Sequence, residues 1–331
     1  MTLNRSKIAI VGCGFVGSST AFSLLTQGVC DEIILIDINR EKAYGEVLDL
    51  KNSIEYLNRN TKVVVGSYED CKDVDIVVIT ASAPMLENQE QNRLSMLESS
   101  AKIVKSIVEP IMKSGFDGHF IIISNPVDIM AYYVYKISGL PKNQIIGTGT
   151  SVDSARLKNF IADLVHVDPR SVYAYTMGEH GDSQMVPWSC VTIGGKAFYD
   201  VIEDNKELVG DINLDKLVHE TTRAGWEILN RKGTTYYGIA TATVGIIKAI
   251  LNDENKIIPV STLLEGEYEE EGIFCGVPVI LNRSGASDVL EIHMREDEME
   301  KFKKSANVIR EYISCLLYTY PSPRDTERSR M

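Results

Sequence analysis

The stretch Ile8 to Asp37, IAIVGCGFVGSSTAFSLLTQGVCDEIILID, limits the possible folds more than any other part of this chain. A short β-branched run, Ile8 to Val11, leads into Gly12, Gly14 and Gly17, spaced G-x-G-x-x-G, with Phe15 and Val16 between the last two. The first glycine allows a tight turn, the second lets backbone amides approach a pyrophosphate, and the third lets the following helix pack closely on the strand. Ala21, Leu24, Leu25 and Gly28 fall at i, i+3, i+4 and i+7, which predicts a helix with one face inward and Gly28 at its C-terminal cap. The start of that helix would present unpaired N–H groups to phosphates. Ile33 to Ile36 is the next strand, and Asp37 closes it where a carboxylate accepts the hydroxyls of an adenosine ribose. That carboxylate would repel a 2′-phosphate, so the expected dinucleotide is NAD rather than NADP.

Further strands are predicted at Thr61 to Val65, Asp75 to Thr80 and Phe120 to Ser124, and helices at Arg40 to Asn52 and Arg93 to Ser114. The strands are continuous apolar runs, as a parallel sheet covered on both faces requires. The expected fold class is therefore α/β, a doubly wound parallel sheet of the Rossmann type, followed by an α+β catalytic domain. Thr80, Ala81 and Ser82, with Ala83, are small residues at the carboxyl end of a strand, where ligands of such sheets bind. Pro84 to Asn92 is polar and proline-initiated, either a plain loop or a lid over the site.

From Gly147 the pattern changes. A helix is expected through Val165, then strands Ser171 to Met177 and Met185 to Ile193 around the loop Gly178-Glu179-His180-Gly181-Asp182. Helices Leu214 to Leu229 and Gly238 to Leu251 follow. A hairpin of Val277 to Leu281 with Val289 to Ile292 comes next, then a closing helix Asp297 to Ile313. With 331 residues, two domains are expected: 1–150 for the dinucleotide, 151–316 for substrate and catalysis, and 317–331 as a disordered tail.

The net charge of -12 argues against nucleic acid as a partner, because phosphate recognition relies on clustered Lys and Arg. No apolar run approaches the roughly 18 residues needed to cross a membrane, and MTLNRSK has no apolar core of a secretion signal. The six cysteines show neither C-x-x-C nor Cys/His spacing, so no metal site is expected, and a cytoplasmic, reducing location is.

Of the five histidines, His119, His166, His219 and His293 sit in or beside apolar periodic segments and are expected to be structural. His180 stands in a glycine-flanked loop between acids, where an imidazole can meet a small ligand and exchange a proton near neutrality. Asp153 and Arg156, at i and i+3, share a helix side. They form either an exposed ion pair or a working pair, in which the carboxylate orients His180 and the guanidinium grips a substrate carboxylate.

The motifs GCGFVG, DIVVIT-ASA, SNPVD, VDSAR, GEHGD and KGTTYYGIA together resemble the NAD-dependent L-lactate and malate dehydrogenases, over Lys7 to about Ile313. The resemblance implies His180 as general acid and base, Asp153 as its partner, Arg156 as the substrate anchor and Arg93 as a lid arginine polarising the carbonyl. It also implies Asn125 between cofactor and substrate, Thr235 lining the pocket, a 2-oxo or 2-hydroxy acid as substrate, a place in glycolysis and pyruvate fermentation, and a homodimer or homotetramer. The helices near Arg40 to Asn52 and Leu157 to Val165 are its expected contact faces.

One stretch departs from the family. Lactate dehydrogenases usually carry A-G-A-N-Q-K-P-G-E-T-R-L where this chain has ASAPMLENQEQNRL, two residues longer, with Met85 in place of the specificity glutamine. Met85 cannot pair a second carboxylate, which disfavours malate and resembles L-2-hydroxyisocaproate dehydrogenases, for bulkier apolar 2-oxo acids. Many bacterial members also bind fructose 1,6-bisphosphate through an arginine and a histidine whose places here hold Lys158 and Tyr173, so no such activation is expected. An alternative from another class is a dinucleotide-binding protein of this fold that has lost catalysis. The joint presence of His180, Asp153, Arg156 and Arg93 speaks against it.

Overall fold

The computed structural model describes residues 5–82 and 93–319, excluding the side chains of 93–96 and 318–319. The first half alternates strand and helix: β1 (Lys7–Val11), α1 (Phe15–Thr26), β2 (Glu32–Ile36), α2 (Arg40–Ser53), β3 (Lys62–Val65), β4 (Ile76–Ile79), α3 (Arg93–Lys113), β5 (His119–Ile122), α4 (Val127–Ser138) and β6 (Ile145–Gly147). Pairing runs β3-β2-β1-β4-β5-β6, all parallel. The order reverses beside β1, so a crevice opens at the carboxyl ends of β1 and β4, where ligands of doubly wound sheets bind. Every residue of β2 and β4 is buried, which is why these strands are unbroken apolar runs.

The second half contains α5 (Ser151–Val165), β7 (Val172–Tyr173), β8 (Thr192–Ile193), β9 (Lys196–Ala197), α6 (Phe198–Asp204), α7 (Lys206–Val209), α8 (Leu214–Lys232), α9 (Tyr237–Leu251), β10 (Lys256–Glu265), β11 (Glu271–Asn282), β12 (Gly285–Val289) and α10 (Glu296–Thr319). The strands β10, β11 and β12 add antiparallel to β6, so one nine-stranded sheet runs through both halves. A second, smaller core gathers Leu157, Ile161, Val172, Trp188 and Phe198 under α5.

Four expectations are corrected. The long antiparallel pair around the His180 loop is reduced to β7 with β8 plus a bridge between Met177 and Met185. Pro187 and the turn Trp188–Cys190 divert the return segment, and Ser189 N–H donates to Glu298 rather than to a neighbouring strand. The hairpin turns at Arg283-Ser284, so its second strand is β12 and not Val289 to Ile292. A register shift after Ile280 and the Ser284 N–H bond to Asn282 set that turn early. Strand β10 was not expected; it contains Pro259, a residue otherwise confined to edge strands and bulges. It is tolerated because β6 pairs with β10 only at Ser261, so no β6 partner waits for an N–H at Pro259. The closing helix continues past Ile313 to Thr319 with Leu316 buried, so 317–319 are helical rather than tail, and 320–331 lie outside the described residues.

Candidate active site

The dinucleotide loop is built by close approach. A methyl on Gly17 would stand 1.9 Å from Gly12 O, and one on Gly12, whose φ is +101°, would meet Thr80 Oγ1 at 2.8 Å. Thr80 donates to Gly12 O at 2.8 Å, and Ser124 Oγ donates to Ala81 O at 2.6 Å, which fastens the ends of β1, β4 and β5 together. A methyl on Gly14, by contrast, would meet no protein atom within 4 Å, so the space beside it is free for a phosphate. Asp37 accepts N–H bonds from Cys13 at 2.6 Å and Asn39 at 2.8 Å and stays partly exposed, aimed by the loop it holds. Phe15 and Ser82 are exposed and Val16 and Ala81 half-buried. These residues fit a dinucleotide bound with its pyrophosphate at the start of α1. Burial and the nearby Asp37 push the Cys13 thiol up to about 12, so it stays a neutral filler.

The helix α5 brings Asp153 and Arg156 to one side. Asp153 Oδ1 accepts from Arg156 at 2.8 Å, and its Oδ2 lies 2.6 Å from His180 Nδ1. The Asp153 side chain is 2% exposed and that of Arg156 15%, so of the two readings the exposed surface pair is not what forms. Burial would push the Asp153 carboxyl up, but the imidazolium and the guanidinium outweigh it and hold it below its ordinary value. Burial likewise opposes charge on His180, yet Asp153, aided by Asp128, overcomes it and raises the imidazole to about 9. A carboxylate bound at Nδ1 leaves Nε2 as the nitrogen that faces a ligand. Such a pair can give a proton to an oxygen and take it back.

Residues that sequence reasoning passed over hold this pair in place. Thr176 N–H donates to Ser154 Oγ at 2.9 Å and Thr150 Oγ1 donates to Thr176 O at 2.7 Å, tying the start of α5 to the segment before His180. Gly178 and Gly276 exchange N–H···O bonds at 2.9 and 3.0 Å, and Glu179 N–H donates to Ser305 Oγ at 2.8 Å, which fixes the loop on β11 and α10. Gly225 in α8 leaves room for the guanidinium: a methyl there would come within 3.4 Å of it. Only the adjacency of Ser154 to Asp153 in VDSAR hinted at any of this.

Asn125 is exposed at the end of β5, ahead of a cis bond to Pro126, and Thr235 is half-buried between α8 and α9. Lys232 of α8 lies over the rings of Tyr236 and Tyr237, and Phe15 stacks on Tyr236, so the Thr235 segment touches the dinucleotide loop. Arg93 opens α3, but its side chain lies outside the described residues, as do Met85 and the expected lid. Among the described residues no group of three His, Cys, Asp or Glu side chains could hold a metal ion, and no helix is long and apolar enough to cross a membrane. Of the remaining histidines, His119 is held below its ordinary value by burial, and His166 caps α5 with φ of +54°.

Residues 6–147 match the family described as lactate/malate dehydrogenase, NAD binding domain, and residues 150–318 match its alpha/beta C-terminal domain. L-lactate dehydrogenase 3 of Bacillus anthracis is 52% identical over 319 residues, covering 96% of this chain and 100% of that protein. L-lactate dehydrogenase 1 of Bifidobacterium longum is 45% identical over 317 residues, with the same coverage. The crystal structure of a minor L-lactate dehydrogenase from Enterococcus mundtii in the ligands-bound form superposes with a TM-score of 0.90 at 41% identity, covering 94% of this chain and 98% of that one.

Proposed function

The chain belongs to the lactate/malate dehydrogenase family, and from that premise we propose that it is an NAD-dependent L-lactate dehydrogenase interconverting pyruvate and L-lactate. The observation that carries this reading is the hydrogen-bonded row Arg156–Asp153–His180, with Asp153 buried at its centre, set beside a crevice whose glycine loop fits a dinucleotide.

The roles follow from charge. Gly12, Gly14, Phe15, Val16 and Gly17 would hold the pyrophosphate, Asp37 the adenosine ribose, and Thr80, Ala81, Ser82 and Asn125 the nicotinamide half. When bound, NADH supplies the hydride that reduces the ketone carbon. His180, protonated and oriented by Asp153, gives its proton to the ketone oxygen. In the reverse direction neutral His180 takes the hydroxyl proton, and Asp153 stabilises the imidazolium that forms. Arg156 has one N–H committed to Asp153 and the rest of its planar fork for the substrate carboxylate. Arg93 would add positive potential where the carbonyl oxygen gains charge. Thr235 lines the pocket beside the substrate methyl.

The partner is a second copy of the chain, in a homodimer or homotetramer. Phe22 of α1 and Tyr237 of α9 are exposed side chains lining a cleft of ≈ 470 Å³ that α2 closes with Glu46, Asp49, Leu50 and Ser53, and Tyr44 and Leu48 are exposed on another side of α2. Exposed apolar side chains beside a cleft are a surface that a second copy could cover. All six cysteines are free thiols, which supports a cytoplasmic location. The division at residue 150 follows function, with the cofactor before it and the proton-transferring pair after it.

Initial rates with pyruvate, 2-oxoisocaproate, phenylpyruvate and oxaloacetate on one preparation test the assignment. The highest kcat/KM is expected for pyruvate. A higher value for 2-oxoisocaproate would move the substrate to bulkier acids, and no NADH oxidation with any of the four would leave the chain a binding protein.

A further inference from the structure

Asp128 lies in the first turn of α4, is 1% exposed, and accepts the backbone N–H of His180 through Oδ2 at 2.8 Å. Its other oxygen has only the neighbouring Ser261 hydroxyl of β10 to interact with among the described residues, a contact that favours the charged carboxylate. For holding an N–H, an asparagine or a serine would serve at far lower desolvation cost than a buried carboxylate. What the carboxylate adds is charge, and it adds it beside His180, while Asp153 supplies its own at Nδ1.

Resting on the reading of His180 as proton donor, we propose that Asp128 is a positioning residue for the reaction. It fixes the His180 backbone to the turn that carries Asn125, and it supplies a second negative charge that favours the imidazolium. The surroundings bear this out. From the His180 loop Asp128 faces His180 and Glu179, from β10 the Ser261 hydroxyl, and from β11 the Cys275 thiol. Burial drives Cys275 well above its ordinary value and keeps it neutral. Toward His180 itself, Asp153 and Asp128 favour the charged form and Arg156 opposes it. Burial pushes Asp128 up to about 6, so it carries its charge at neutral pH. Its place at a helix N-terminus helps it do so. The same turn connects β5 to α4 and presents Asn125 three residues earlier, so one carboxylate couples the cofactor side of the site to the acid–base side.

The test is kcat/KM for pyruvate reduction at saturating NADH across pH 5.5 to 10 (about the range in which both groups titrate), on the full chain. It compares wild type, Asp128→Asn, Asp128→Ala and His180→Gln. Asparagine keeps an acceptor for the His180 N–H but no charge. The basic limb should therefore move to lower pH by roughly half a unit or more, with KM for pyruvate rising above that midpoint. Alanine should show the same shift and, in addition, a loss of kcat of about tenfold at every pH, because the N–H is left without its acceptor. Asp128→Ser, smaller and also uncharged, repeats the measurement if the amide is not accommodated. A midpoint unmoved within about 0.2 unit in the uncharged variants, in a series where His180→Gln is inactive, would overturn the role of Asp128. Turnover surviving in His180→Gln would instead overturn the reading of His180, a separate outcome.

Discussion

At the scale of single residues, the site depends on which atoms remain available after the fold has taken what it needs. Asp37 spends part of its carboxylate on Cys13 and Asn39, so its effect on cofactor choice has to be measured as a ratio. In Asp37→Ser the kcat/KM for NADPH relative to NADH should rise on the order of tenfold, since the like charge facing a 2′-phosphate is gone. An unchanged ratio would place the ribose elsewhere. Met85 lies outside the described residues, so its test rests on the sequence: Met85→Arg should favour oxaloacetate over pyruvate. A charged hydrogen bond worth about 1.5 to 3 kcal/mol corresponds to a gain of at least about tenfold in that ratio of kcat/KM. No change would mean that the two-residue insertion puts Leu86 or Glu87 at the pocket instead.

At the scale of elements, legibility followed local chemistry. The glycine loop, the buried parallel strands and the Asp153/Arg156 pairing at helical spacing could be read because each is fixed by neighbours a few residues away. Strand β10 could not, because its place in the sheet is set by pairing with β6, far earlier in the chain, and with the later β11. Nor could Asp128: NPVD signals a turn, and only the folded chain places that carboxylate under an N–H 52 residues later. The identity of the His180 loop was legible, but its moorings to Gly276 and Ser305 come from the far end of the chain. The contact of α1 with the loop before it gives a sharp prediction. In Gly17→Ala the new methyl cannot coexist with Gly12 O, so α1 must retreat. Overpacking of this kind costs typically about 1 to 3 kcal/mol. The melting temperature should fall and NADH affinity should drop in parallel. A variant with wild-type affinity would show that the loop does not carry the pyrophosphate.

At the scale of the whole molecule, charge and pH decide how the enzyme responds to its surroundings. Lys158, near the expected effector position, is held below its ordinary value by burial and by Lys256, and it lies 5.7 Å from the Tyr175 ring. Tyr173 brings no cation, and the chain carries a net charge of -12. Fructose 1,6-bisphosphate should therefore leave the KM for pyruvate unchanged at low ionic strength, and a several-fold fall at micromolar effector would refute this. His180 is raised in the folded state, so the protonated form needed for pyruvate reduction is present at low pH and lost as pH rises through about 9. The kcat/KM for pyruvate should fall above that point, while that for lactate oxidation rises toward it. A reduction midpoint at or below the ordinary histidine value of about 6.5 would contradict the Asp153 pairing.

The His180–Asp153 pair transfers the proton while the glycine loop binds the dinucleotide independently of it. His180→Gln separates the two, with NADH-dependent pyruvate reduction and NADH affinity by fluorescence titration measured on the same protein. Turnover should fall by on the order of a hundredfold to ten thousandfold, with NADH affinity within about twofold of wild type. Turnover retained within about threefold would contradict it, because no other residue of the described site stands ready to donate that proton.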